Sequence, residues 1–399
     1  MSGTGLPRSE SAALRFEVRA RCGSTRARLG VVTTRHGSFD TPAFMPVGTQ
    51  GTVKGLLPQV VAGTGAQIVL GNTYHLLLRP GPRLVESLGG LHAFMNWPGP
   101  ILTDSGGYQA YSMSDLTKLT DESVTFRSVV DGSMIELSPE RAMEVQNALG
   151  ADIIMALDDC PPSVDPTTVN QSRLRIEAAR SKVSRSYDHA ARLDEANERT
   201  IRWLERCARA HARPGEQSLF GIVQGGTDLD RRSRSAAQVT GVELPGYAIG
   251  GVAVGEGPEE IASVVRHTAP LLPEEKPRYL MGVGYERDLL AAVLAGVDMF
   301  DCVLPTRNGR NASAFTSRGM IRLRNAKYAE DQEPLEMGCD CEACRPRAWR
   351  GGDSREGGEG GTGAGGWFTR GSIRHLFLAE EMLGPMLVRL HNLRPFQRL

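Results

Sequence analysis

The chain has 399 residues, 40% of them apolar and 23% charged, with 46 basic side chains against 46 acidic ones. That is an ordinary soluble composition, long enough for one large domain plus a small one, and no apolar run approaches the roughly 20 residues of a membrane span. Zero net charge argues against indiscriminate nucleic-acid binding and leaves room for a local basic face.

The first ten residues are polar and rich in Ser and Gly; they read as a disordered N-terminus, neither signal peptide nor anchor. Eight short apolar runs follow, each separated from the next by an amphipathic stretch: Ala43–Val47, Gln67–Leu70, Ile101–Thr103, Ile153–Leu157, Leu219–Val223, Tyr247–Ile249, Tyr279–Met281 and Val297–Phe300. This α/β alternation predicts a (β/α)8 TIM barrel of about 250 residues. The competing open doubly wound sheet would want a glycine-rich phosphate loop after its first strand, and Gly48-Thr49-Gln50-Gly51 matches one poorly.

The residues just past these runs are Asn72, Asp104, Asp158, Gln224, Gly250-Gly251, Gly282 and Asp301. On a barrel they converge on the rim where active sites sit, although any one of them alone reads as a cap or turn residue. Between Pro166 and Glu216 an Arg- and Glu-rich stretch (Arg180, Arg185, Arg192, Arg199, Trp203) predicts a solvated helix pair. Beyond Thr316 come a basic edge strand at Met320–Tyr328, a cysteine cluster and a glycine-rich tract over 351–366 read as a disordered loop. One amphipathic helix, Ile373–Arg389, is expected to end at His391-Asn392.

Seven cysteines, four scattered and three clustered, suit a reducing compartment, hence the cytoplasm, with one metal site. Cys339-x-Cys341-x-x-Cys344 offers three thiolates, and tetrahedral Zn2+ needs a fourth donor, for which His375 and His391 are candidates. A redox dithiol fits less well, because that motif normally opens a helix beside a strand. Asp104 and Asp301 together are equipment for cleaving a glycosidic bond by double displacement, one as nucleophile and one moving protons. Asp158, Gln224 and a closely approaching backbone at Gly250-Gly251 complement a guanine-like edge, and Tyr108 and Met281 are able to sandwich a ring; a purine site is one of several options. Arg307 and Arg310, three apart after Asp301, suit a phosphate or a base edge, against a plain solvated turn.

Taken together, Thr41-Pro-Ala-Phe-Met-Pro-Val47, Leu70-Gly-Asn-Thr-Tyr-His75, Leu102-Thr-Asp-Ser-Gly-Gly-Tyr-Gln109, Leu137-Ser-Pro-Glu140 and Gly250-Gly-Val-Ala-Val-Gly-Glu-Gly257 carry a resemblance. So do Tyr279-Leu-Met-Gly-Val-Gly284, Asp298-Met-Phe-Asp-Cys-Val-Leu-Pro-Thr-Arg307, the cysteine cluster and Leu390-His-Asn392. In order and over nearly the whole chain, they resemble the bacterial-type tRNA-guanine transglycosylases (queuine tRNA-ribosyltransferases). The resemblance implies a TIM barrel over 11–316 and a zinc-binding subdomain with a closing helix over 317–399. It implies exchange of the wobble guanine of certain tRNAs for a deazaguanine base. Asp301 then resembles the nucleophile that forms a covalent tRNA intermediate, and Asp104 the general acid/base. Asp158, Gln224 and Gly251 resemble the base-recognition set, Tyr108 and Met281 the stacking pair, and Arg307 and Arg310 the anticodon-loop readers. The zinc ligands become Cys339, Cys341, Cys344 and His391, and a homodimer is implied.

Three features depart from the family's pattern: the 351–366 tract, an extra stretch near Val169–Ala190, and an end at Leu399 where members usually run on through another helical segment. Val254 resembles the bacterial version, which prefers the aminomethyl precursor base; the eukaryotic version has glycine there. Two other readings stand beside the enzyme. A non-catalytic tRNA-binding paralogue would show degraded carboxylates, whereas both are present. A barrel glycosidase for small nucleosides would need neither the cysteine cluster nor the arginine pair.

Overall fold

The computed structural model describes residues 13–112, 117–168, 187–346 and 367–398. The expectations for 1–10, for 351–366 and for most of the stretch near Val169–Ala190, with Arg180 and Arg185, lie outside these residues.

The described residues group into two compact units. The first runs to Thr52 and resumes over Gln67–Cys302; the second takes Val53–Ala66 and everything from Val303 onward. In the first unit, nine parallel strands follow the order Ala43–Met45, Met299–Asp301, Arg278–Leu280, Gly246–Ile249, Ser218–Val223, Ile153–Met155, Ile101–Thr103, Val69–Gly71 and Val47–Gly48. The two outermost are one stretch of chain split at Pro46, which has no N–H to give a ladder. Ala43–Met45 pairs with Met299–Asp301, while Val47–Gly48 pairs with Val69–Gly71. The Pro46 carbonyl still accepts from Leu70 N at 3.0 Å, so eight stretches close a (β/α)8 barrel.

The strands are continuous apolar runs because helices and interior cover both their faces; Ser218–Val223 is buried at every residue. Local signals set the helix starts. Pro139–Leu149 begins after Ser138, whose side chain accepts from Arg141 N, with Pro139 in the first turn and Gly150 left-handed (φ 76°) beyond the end. Asp188 and Asp228 cap His189–Ala210 and Leu229–Thr240 in the same way.

The sequence reading lacked two antiparallel sheets. One comprises Leu14–Arg21, Arg28–Thr34 and Gly37–Thr41; the other comprises Thr117–Leu119, Val124–Arg127 and Met134–Leu137. Charge fixes the first of them. Arg28, in its middle strand, grips Asp298, just ahead of the last barrel strand, through Nε–Oδ1 at 2.8 Å and Nη2–Oδ2 at 2.6 Å. Both side chains are almost wholly shut off from solvent.

Three expectations are corrected. Arg192 and Arg199 are not solvated: both bind Asp159, at 2.9 and 2.5 Å from Arg192 and 2.6 Å from Arg199, and Trp203 is buried beneath them in the same helix. The basic edge strand is a short hairpin, Ser313–Thr316 with Gly319–Arg322, and Ala326–Tyr328 turns as a 3-10 helix. The closing helix is two, Arg370–Leu378 and Leu383–Phe396, parted at Glu380 (φ 58°). A continuous helix would drive the Pro385 ring into the carbonyl four residues back. Among the described residues no helix is long and apolar enough to cross a membrane.

Removing one partner of the Arg28–Asp298 pair leaves a buried charge unmatched. Arg28→Met is expected to cost about 3–5 kcal/mol of unfolding free energy in urea titration, and the double variant with Asp298→Leu to recover part of that loss. A single variant as stable as the parent would remove this pair as the clasp of the sheet.

Candidate active site and metal centre

A cavity of ≈ 130 Å³ opens at the carboxyl ends of the barrel strands, lined by Asp104, Tyr108, Asp158, Gly251, Met281 and Asp301 together with Leu70, Ser105, Cys160, Val254 and Tyr279. Six of the seven expected catalytic and base-binding residues therefore share one wall-to-wall space. Gln224, the seventh, is buried just behind it and donates through Nε2 to Asp158 Oδ2 at 2.6 Å.

Each carboxyl group is held by its own donors. Asp104 follows the strand Ile101–Thr103; its Oδ2 accepts from Asn72 Nδ2 at 2.5 Å and its Oδ1 from Thr73 N at 2.8 Å. Asn72 also caps the helix Thr73–Leu78 through His75 N, so one side chain fixes both a helix start and a site acid. The turn after Asp104 requires glycine. Gly106 has φ +78°, and a Cβ there would stand 2.9 Å from Tyr74 N. Asp158 accepts from Ser105 Oγ at 3.2 Å as well as from Gln224. Asp301 ends the last strand, and its Oδ1 accepts from Tyr279 OH at 2.6 Å and Gly282 N at 2.8 Å. Its Oδ2 accepts no hydrogen bond among the described residues.

Burial raises the pKa of all three acids. Asp104 is pushed up to about 7, by burial first and then by the charges of Asp301 and Asp158, against the pull of Thr73 N. Asp158 rises to about 6, burial outweighing its bonds from Gln224 and Ser105. Asp301 is raised by burial and restrained by Tyr279 and Gly282. The arrangement supplies a proton donor that is half-loaded near neutrality beside a carboxylate with one free oxygen. Such a pair suits acid-assisted displacement at a glycosidic carbon.

Sequence reasoning missed Ser105 and Tyr279. Tyr279 sits in an apolar run, and the available signal was its hydroxyl, which a buried tyrosine must pair. Arg307 and Arg310 lie in the second unit on the helix Leu304–Arg310. Both are exposed, and their side chains have no hydrogen-bond or ion-pair partner among the described residues.

The second unit holds the metal centre. Cys339, Cys341, Cys344 and His391 place one ligand atom each within 4.8 Å of one another. His391 Nδ1 stands 3.7, 3.6 and 3.3 Å from the three sulfurs. Tetrahedral zinc, with bonds of about 2.3 Å to sulfur and 2.0–2.1 Å to nitrogen, would set that edge at about 3.6 Å. His391 Nε2 donates to Phe315 O at 2.7 Å, which leaves Nδ1 bare toward the sulfurs. Next to it, Asn392 ties Phe315 N, Pro305 O and Ser313 O together. His375, the other candidate, is exposed and outside the group. The four residues fit a closed structural Zn2+ site.

A barrel with paired acids at its strand ends and a Cys3His centre defines a class of carbohydrate-bond enzyme carrying a structural metal. The family described as queuine tRNA-ribosyltransferase matches residues 22–187 and 176–399. The chain is 49% identical over 385 residues to a queuine tRNA-ribosyltransferase of Thermus thermophilus, covering 96% of this chain and 88% of that one. It is 49% identical to the protein of that name from Symbiobacterium thermophilum (97% and 86% covered) and 47% identical to that of a Nostoc species (96% and 90%). The chain belongs to the queuine tRNA-ribosyltransferase family.

Replacing a sulfur by oxygen weakens a zinc site without touching the cavity. Cys341→Ser is expected to lower zinc, measured by plasma mass spectrometry, below one ion per chain and to reduce Tm. Full zinc occupancy in that variant would strike Cys341 from the ligand set.

Proposed function

We propose that this protein exchanges the wobble guanine of tRNA anticodons for a deazaguanine base through a covalent Asp301–ribosyl intermediate. The observation that carries the reading is the meeting of Asp104 and Asp301 in one cavity with the base-complementary group Asp158, Gln224 and Gly251. A guanosine must be extruded for its ribosyl bond to be reached. Asp158 faces N–H donors on the guanine edge, Gly251 and Gln224 its carbonyl side, and Tyr108 and Met281 its ring faces.

Tyr279 and Gly282 anchor Asp301 Oδ1, so Oδ2 attacks the anomeric carbon. As that C–O bond forms, the bond from carbon to the base nitrogen breaks, and the departing nitrogen takes the proton of Asp104. The incoming base then gives its ring proton to the Asp104 carboxylate. Its nitrogen attacks the same carbon, and the ester to Asp301 breaks. Two inversions retain the configuration. One glycosidic bond is traded for another, so the exchange needs no external energy source.

Arg307 and Arg310, exposed and with side chains unpaired among the described residues, are assigned to the anticodon loop, whose phosphates and base edges suit guanidinium. Val254 on the cavity wall is assigned to excluding the bulkier queuine in favour of the aminomethyl precursor. The division into a catalytic barrel over 11–316 and a zinc subdomain over 317–399 belongs to the same reading, as do a homodimer and a cytoplasmic location. The odd count of seven cysteines, three of them clustered, supports the reducing-compartment part of that reading. The non-catalytic alternative loses ground because neither acid is degraded.

The decisive assay is incorporation of radiolabelled guanine into tRNA bearing a wobble guanine. Asp301→Asn is expected to reduce it by about 10³-fold or more while tRNA binding and fold persist, and to abolish the covalent RNA adduct on a denaturing gel. Normal turnover in that variant would eliminate the mechanism. Because adduct formation consumes the proton of Asp104, its single-turnover rate should fall as pH rises through about 7, where that proton is lost. A rate flat from pH 6 to 9 would take the acid role away from Asp104.

A further inference from the structure

Arg232, in the helix Leu229–Thr240, is completely buried yet no carboxylate hydrogen-bonds to it among the described residues. Its guanidinium donates to four backbone carbonyls instead. Nε reaches Gly226 O at 2.9 Å, Nη1 reaches Val223 O at 3.0 Å and Gly250 O at 2.7 Å, and Nη2 reaches Gly251 O at 3.0 Å. Burial lowers its pKa to about 10, with Glu256 opposing, so it stays charged at neutral pH. Enclosing a cation without a direct counter-ion is costly, and the fold accepts that cost at one place beside the cavity.

The four acceptors belong to two turns, Val223–Gly226 after one barrel strand and Gly250–Gly251 after the next. In a trans peptide the carbonyl and the following N–H point in opposite directions. Drawing the Gly250 and Gly251 carbonyls onto Arg232 therefore turns the N–H groups of Gly251 and Val252 away from it. Both residues are buried and line the cavity, and neither N–H has an acceptor among the described residues. Buried amides without partners are rare. Two in succession, with Gly251 left-handed at φ +60°, make a concave pair of donors suited to an oxygen. Only glycine fits there, because a Cβ on Gly251 would run into Gln224 Oε1.

We propose that Arg232, which does not line the cavity, is a positioning residue for base recognition: it aims the Gly251 and Val252 amides at the carbonyl oxygen of the bound purine. This rests on the base-exchange reading. Arg232 also ties that pair to the turn carrying Gln224, so the donors and the amide side chain move as one body.

The test uses the full-length zinc-loaded protein, with guanine as substrate and 2-aminopurine as competing ligand; it lacks the oxygen and also the N1–H that faces Asp158, a contact the Arg232 variants leave in place. The parent is expected to favour guanine by about 10²-fold or more, since an unmade bond to two buried donors is penalised. Arg232→Lys keeps a charge but cannot span four carbonyls. Its KM for guanine should rise about tenfold or more and its preference over 2-aminopurine should shrink by a similar factor, with the Kd for tRNA unchanged. Arg232→Met should lose most of the oxygen's share of the preference and keep the share that the N1–H bond to Asp158 supplies. A lysine variant that loses activity but keeps the parental preference would mean Arg232 is merely structural, and the proposal fails. Should both variants misfold, hydrogen exchange on the parent decides: guanine must slow exchange at Gly251 and Val252, and unchanged exchange overturns the proposal. A parent that incorporates no guanine at all would instead defeat the base-exchange reading itself.

Discussion

Three carboxyl groups, Asp104, Asp158 and Asp301, line one small cavity at the barrel rim. Desolvation opposes the ionisation of all three, the charges of Asp301 and Asp158 add to it at Asp104, and the surrounding elements answer with a specific donor set for each: Asn72 and Thr73 N, Ser105 and Gln224, Tyr279 and Gly282 N. What remains after this compensation is chemically useful. One acid is half-protonated near neutrality, and another presents an oxygen with no hydrogen-bond donor among the described residues. The same residue type does the reverse work at the other ends of the strands. Asp152 and Asp298 precede barrel strands rather than follow them. Burial raises Asp152, but His92, the Ile101 amide and His36 overcome it and hold the acid down to about 2. Asp298 is spent on Arg28 and the Arg278 amide. Aspartates at strand starts are tied into the fold and those at strand ends line the cavity, in keeping with the division of roles expected of this fold.

The barrel was legible because the strands are short apolar runs buried on both faces, and because a polar residue or a glycine marks where most of them meet the rim. The site acids were legible for the same reason. Less legible was everything whose signal is tertiary. The strand Leu14–Arg21 alternates Leu14, Phe16 and Val18 with charged residues, a weak pattern that only pairing with Arg28–Thr34 turns into a sheet. Arg192 and Arg199 look like solvent-facing helix residues until Asp159 appears opposite them. Pro385 did carry a local warning against one long helix, since a proline removes a ladder bond and its ring crowds the carbonyl four residues back.

At the metal centre the spacing of the cysteines was enough to announce a cation, but not to choose its fourth ligand. His375 and His391 sit on successive helices and differ in nothing that composition records. Their surroundings separate them: the Phe315 carbonyl takes the Nε2 proton of His391 and so commits Nδ1 to the sulfurs. A second-layer contact thus selects the tautomer, and the tautomer selects the ligand. Arg232 illustrates the same dependence on residues behind a site, since it bonds the carbonyl side of peptides whose N–H groups are wanted elsewhere.

An exchange of one base for another imposes a demand that hydrolysis does not. The departing base needs a proton and the arriving base must lose one, at the same position and in the same cavity. A group with an ordinary carboxylate pKa would be a poor donor at neutral pH, and one raised far above neutrality would be a poor acceptor. An acid poised at about 7 populates both forms comparably, so in the proposed exchange neither half of a symmetrical reaction would be starved of its acid/base. Burial alone would overshoot or undershoot this balance according to the accidents of packing. The amide of Thr73 pulls the pKa down while the neighbouring acids push it up, and the opposition of these influences holds Asp104 near the point where giving and taking a proton are equally easy.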